Sequence, residues 1–100
     1  MILYNVTISV NAIIADEWLD WMKKTHIAEV MTTGLFSSYE IYKVLLQKES
    51  ELTFSVQYFT TSMGKLQQYQ AKHAQELQAK HSSKFGDKVL AFRTVLESVK

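Results

Sequence analysis

Apolar and polar side chains alternate over residues 2–10: Ile2, Tyr4, Val6, Ile8 and Val10 fall on one side, and Leu3, Asn5, Thr7 and Ser9 on the other. A period of two sends successive side chains to opposite faces, so the segment predicts a half-buried strand. From Asp16 the period lengthens. Ile14, Trp18, Trp21, Met22 and Thr25 share one helical face, while Asp20 and Lys24 form an outward i,i+4 pair. Asp16 stands where a carboxylate satisfies the free amides of a helix start, the helix should end near His26, and Gly34 marks the exit into the next strand. Residues 35–46 and 52–61 are rich in aromatic and β-branched side chains and flank a polar connector at 47–51, which predicts a hairpin. Ser62 then caps a helix running to about residue 84, with Leu66, Tyr69, His73, Leu77 and Lys84 near one meridian and Glu76 and Lys80 paired outside it. Phe85, Gly86 and Asp87 end that helix, and a last strand covers residues 88 to about 98.

The order β-α-β-β-α-β, without linker or repeat, is the ferredoxin-like α+β plan, and a chain of 100 residues that is 47% hydrophobic has material for one such domain. Right-handed crossovers give the strand order 4-1-3-2 in an antiparallel four-stranded sheet, with both helices on one face. The first strand is expected to run parallel to the third and antiparallel to the fourth. The apolar sets Ile2, Tyr4, Val6, Ile8 and Leu52, Phe54, Val56, Tyr58 should lie under the helices, with Leu90, Phe92 and Leu96 of the last strand. The opposite face then carries a polar row of Thr7, Gln57 and Arg93, with Glu40 as a partner for the arginine. Such a row fixes sheet register or an interface between two copies, or binds a small anion. Leu3, Phe59, Ala91 and Val95 around it make an apolar patch that face-to-face homodimerisation would cover.

Charge and composition narrow the classes. A formal charge of +1 provides no field for a phosphate backbone, and the lysines are scattered, so nucleic acid is not an expected partner. The beginning of the chain reads as neither a signal peptide nor a membrane span, so a cytoplasmic protein without membrane contact is expected. The absence of cysteine excludes disulfides and thiolate zinc sites, and no His-Glu-x-x-His pattern exists; no metal and no cofactor are called for.

The chemical candidates are two histidines and the aromatic side chains near them. His26, at the expected end of the first helix, reads best as a capping imidazole, with acid or base catalysis as the alternative. His73 falls on the apolar stripe that faces the sheet, where it would meet Tyr4 or Tyr58, either as a core histidine or as the wall of a pocket. The candidate ligand cleft is therefore His73, Tyr4, Tyr58, Trp21 and His26. His81 lies on the same helix edge, eight residues beyond His73.

The segments at 4–7, 18–22, 26–27, 33–36, 57–58, 85–86 and 92–94 together resemble a bacterial family of short single-domain proteins known only as a domain of unknown function. The resemblance spans nearly the whole chain. More distantly, the His26-Ile27 ending of the first helix looks like the dimeric α/β-barrel superfamily, whose members include small monooxygenases, haem-degrading enzymes, lactone isomerases and stress-response proteins. That likeness implies a homodimer in which two sheets pack together and each subunit keeps a cleft between sheet and helices. A proline often follows the His-Ile pair in those proteins; here the position is Ala28. The expected function is a homodimeric small-ligand-binding or structural α/β-barrel domain. The alternative is a small cofactor-free oxygenase, isomerase or haem-binding enzyme of the same architecture.

Overall fold

Four strands form one antiparallel sheet: β1 (Ile2–Asn11), β2 (Ser38–Lys43), β3 (Glu51–Thr60) and β4 (Val89–Glu97), in the order β2-β3-β1-β4. The structure, a computed structural model, describes residues 1–45 and 50–99. The helical layer consists of α1 (Ala15–Trp21), α2 (Ile27–Thr32), α3 (Met63–Lys72) and α4 (Ala74–Phe85). The fold is the ferredoxin-like plan, with the strand order expected. Most of the connector at 47–51, and Leu46 at the end of the expected second strand, lie outside the described residues.

One pairing differs from expectation. β3 is antiparallel to β1, with Tyr4 opposite Tyr58 and Val6 opposite Val56. The crossover from β1 makes β2 parallel to it, and the hairpin then returns β3 between the two, antiparallel to both. The inward positions of β1 and β3 are the apolar ones: Tyr4, Ile8, Val10, Phe54, Val56 and Tyr58 are buried.

β4 also differs. It pairs Ile8 with Ala91, Val6 with Arg93 and Tyr4 with Val95. Directly opposed residues share a face, so Ala91, Arg93 and Val95 lie on the helix side, and Leu90, Phe92 and Leu96 on the other. The bulkier apolar set is thus outside, because the helices leave this edge of the sheet open: Arg93 and Val95 remain exposed beneath them. The expected row breaks accordingly. Thr7 stands opposite Ser55, and Gln57 lies between Asn5 and Glu40, all on the outer face, while Arg93 has gone to the other side.

Both segments of the helical layer carry a one-residue slip. The first helix does not end at His26: Met22–His26 is a π-helical stretch in which the Ile27 N–H bonds the Met22 carbonyl five residues back, and helical backbone continues to Thr32. Asn11, whose Oδ1 accepts from the Ile13 N–H, caps the short 3-10 turn Ala12–Ile14 that leads into α1, so Asp16 acts only as a first-turn charge. Thr25 is exposed, and the Asp20–Lys24 pair forms on the surface at 2.9 Å. In the second segment Ser62 caps as expected, accepting from the Lys65 N–H. The helix then breaks at His73, whose φ of −128° separates α3 from α4. Gly86, at φ 57° and ψ −130°, adopts a backbone closed to side-chain-bearing residues and turns the chain into β4.

Candidate functional site

The π-helical stretch aims His26 at the sheet. Trp18 and Met22 are buried four residues apart, and the next buried positions are Ile27 and Val30. The inserted residue leaves His26 half-buried beside Met22 instead of carrying it round to solvent. Single π turns of this kind recur at functional sites because they re-aim one side chain without ending the helix.

α4 supplies the second imidazole. Ala74, Leu77, His81 and Phe85 form its buried stripe, with His81 only 7% exposed. The indole Nε1 of Trp18, itself fully buried, donates to His81 Nε2 at 2.9 Å. An indole is only a donor, so His81 Nε2 is a lone pair and the ring is the neutral Nδ1–H tautomer. The His26 and His81 rings lie 5.8 Å apart, and Trp21 packs on both, at 5.4 Å and 5.9 Å. Trp21 therefore sits behind the two imidazoles.

Between these rings and the sheet is a small cavity of about 20 Å³, room for one water-sized atom, bordered by Tyr4, His26, Tyr58, Tyr69, Gln78, His81 and Arg93. Burial dominates its electrostatics. It lowers His26 from its ordinary 6.5 to about 4, assisted by His81, Arg93 and Lys80 and opposed by Glu29. Burial lowers His81 as well, with Arg93 adding to the effect. Burial also raises Tyr4, Tyr58 and Tyr69, partly offset at Tyr4 by the positive charge of Arg93 and by the polar Arg93 and Gln78 side chains. Near neutral pH the cavity is thus framed by neutral imidazoles and neutral phenols, with one guanidinium at its edge.

The Tyr58 hydroxyl is buried and has no hydrogen-bond partner among the described residues. An unpaired buried hydroxyl costs about 1–3 kcal/mol. Tyr58→Phe should therefore leave stability unchanged or raise it by about 1 kcal/mol, as read from urea unfolding.

Of the residues expected in the cleft, Tyr4, Tyr58 and His26 line this cavity and Trp21 packs behind it. His73 is elsewhere. It sits at the break between α3 and α4, half-buried, stacked on Tyr69 at 6.2 Å, and faces an open depression shared with Glu29, Glu76 and Lys80. Lys80 in that depression bonds Glu29 at 2.8 Å. His81, Gln78 and the inward Arg93 went unassigned to the cleft. A five-residue step from buried Tyr69 to buried Ala74 is the signal that would have shifted the stripe onto His81. Among the described residues no three groups are placed to hold a metal ion, and no helix is long and apolar enough to cross a membrane.

The outer face of the sheet has its own order. Ser55 donates to Asn5 Oδ1 at 2.6 Å, Asn5 Nδ2 to Thr7 at 3.0 Å, and Gln57 Nε2 to Ser55 at 3.2 Å. Exposed Leu90, Phe92 and Leu96 flank this network on β4.

Sheet order and helix placement define a ferredoxin-like α+β domain. The chain belongs to the family described as domain of unknown function (DUF4286), whose model matches residues 1–99. No curated protein matches it. Among solved structures it is similar to HapK from Hahella chejuensis, at 13% identity and a TM-score of 0.71, over 99% of this chain and 93% of that one. It is also similar to an ethyl tert-butyl ether D (EthD) family protein from Bacillus halodurans C-125, at 15% identity and 0.64, over 99% and 100%. A dimeric ferredoxin-like protein from an uncultured marine organism matches at 12% identity and 0.64, over 99% and 96%. Identities this low carry the fold alone.

Proposed function

We propose that this protein is a cytoplasmic homodimer that binds a small ligand in the pocket formed by Tyr4, His26, Tyr58, His81 and Arg93. The observation that carries the reading is the buried, unpaired hydroxyl of Tyr58, a residue that lines a cavity under the helices. Natural cores seldom leave such a group unbonded, and a bound ligand is one way to supply the missing partner. Exposed Leu90, Phe92 and Leu96 beside the Asn5–Ser55–Gln57 network support a second copy packing on the outer face, as does the likeness to a dimeric ferredoxin-like protein.

An enzymatic form of the same reading has one observation in its favour. Trp18 fixes the tautomer of His81, and His26 beside it is held as a neutral imidazole by burial. Defined proton positions are what a cofactor-free isomerase or oxygenase requires of its acid and base.

Two experiments test this. Light scattering should give twice the chain mass. Phe92→Asp, which places a carboxylate from each copy in the shared apolar face, should weaken association on the order of a hundred-fold or more, leaving folded monomers. A monomeric wild type contradicts the assembly. For the pocket, Ala91→Phe fills its β4 wall without removing a polar group. Saturable fragment binding seen by NMR should be lost in that variant, and binding that survives unchanged places the ligand elsewhere.

A further inference from the structure

Arg93 stands between two spaces. On one side is the chamber of about 20 Å³ at Tyr58, His26 and His81. On the other is an open groove of about 500 Å³ running past Gln70, Gln75 and Val95, along the edge of the sheet that the helices leave uncovered. Tyr4, Gln78 and Arg93 border both, so they form the junction. The groove has the volume of a small-molecule site, while the chamber admits a single oxygen-sized atom.

The polar groups at this junction are rich in donors. Arg93 and the Gln78 amide stand beside Tyr4 on the border of both spaces. Tyr58 brings a hydroxyl without a partner, and His81 keeps only its Nδ1–H because Trp18 occupies Nε2. No carboxylate borders either space, and Arg93 joins none of the ion pairs among the described residues. A guanidinium with neutral donors around it and no acid to neutralise it is matched to a planar anion. A neutral ligand would cover Arg93 without replacing the water it loses, and a cation would be repelled.

We propose that the site takes a small organic carboxylate, with its charged end on Arg93 and Tyr4, one oxygen in the chamber, and its apolar body in the groove. This rests on the pocket being a ligand site at all, and the test separates the two statements. Benzoate and its neutral isostere benzamide serve as probes, titrated into the full-length protein and followed by NMR of the pocket side chains.

Benzoate should bind roughly ten-fold or more tightly than benzamide, the gain expected of a charge-assisted hydrogen bond over a neutral one. Arg93→Gln should erase that preference while leaving benzamide binding intact, and Arg93→Lys should restore part of it. Equal affinities in the wild type, or a preference that survives in Arg93→Gln, overturn the carboxylate assignment and leave the pocket reading standing. If neither probe shifts the pocket resonances, both statements fall.

Discussion

Trp18→Ala should destabilise the fold by about 4 kcal/mol, the cost of removing a large, fully buried aromatic side chain from a core that cannot close over the gap. The indole packs on Phe54 of β3 at 5.0 Å and donates to His81 of α4, so it ties both ends of the helical layer to the sheet. Trp18→Phe separates the two contributions. It keeps most of the volume but leaves His81 Nε2 buried without a donor, which should cost about 1–3 kcal/mol. The same substitution frees that nitrogen to take a proton. His81, held low in the native protein chiefly by burial, should then titrate closer to the ordinary histidine range. Denaturant unfolding gives the first effect and an NMR pH titration the second. A Trp18→Phe protein with native stability and an unchanged His81 would show that the indole bond fixes nothing.

Stability should fall on acidification, and His26 should be a main cause. Its folded-state value is lowered from 6.5 to about 4. Above about 6.5 both the folded and the unfolded imidazole are neutral, and nothing is lost. Below it the unfolded chain takes up a proton that the folded one refuses, so the balance shifts toward unfolding until the folded ring protonates near 4. The groups that set this are burial against the sheet, His81 on α4, and Arg93 on β4, with Lys80 adding a little and Glu29 opposing. Allowing for its partial exposure, the loss should be on the order of 2 kcal/mol between neutrality and pH 4. His26→Gln should flatten that part of the profile. Urea midpoints measured across the range for both proteins decide it, and parallel profiles would remove His26 as the cause.

Much of the fold was legible because its signals are local. The alternation in β1, the aromatic runs of the hairpin and the Ser62 cap each follow from side chains within a few residues, and each stands as expected. The site was harder to read because two phase slips lie between the local pattern and the pocket. A helical meridian carried unbroken through residue 73 puts His73 over the sheet. The break there hands that place to Ala74 and brings His81 round behind it. The π turn does the same for His26, which a regular helix ending nearby would have left as a cap. Both slips show in the sequence as five-residue steps between apolar positions, from Met22 to Ile27 and from Tyr69 to Ala74.

β4 failed for a different reason. Alternation alone places its bulkier apolar side chains on the core face, because the sequence carries no sign of which face of an edge strand the helices cover. The pairing with β1 sends Leu90, Phe92 and Leu96 outward instead, where they form an exposed apolar strip. Arg93 correspondingly lies on the helix side of the sheet, at the junction of the chamber and the groove, rather than in the outer polar row.

The proposed pocket lies at His26 and His81 rather than at His73. The most direct measurement follows the imidazole resonances of all three histidines while a small aromatic ligand is titrated into the wild-type protein. Saturable shifts are expected at His26 and His81, with His73 unmoved. Shifts at His73 alone, with the other two rings silent, would contradict that placement.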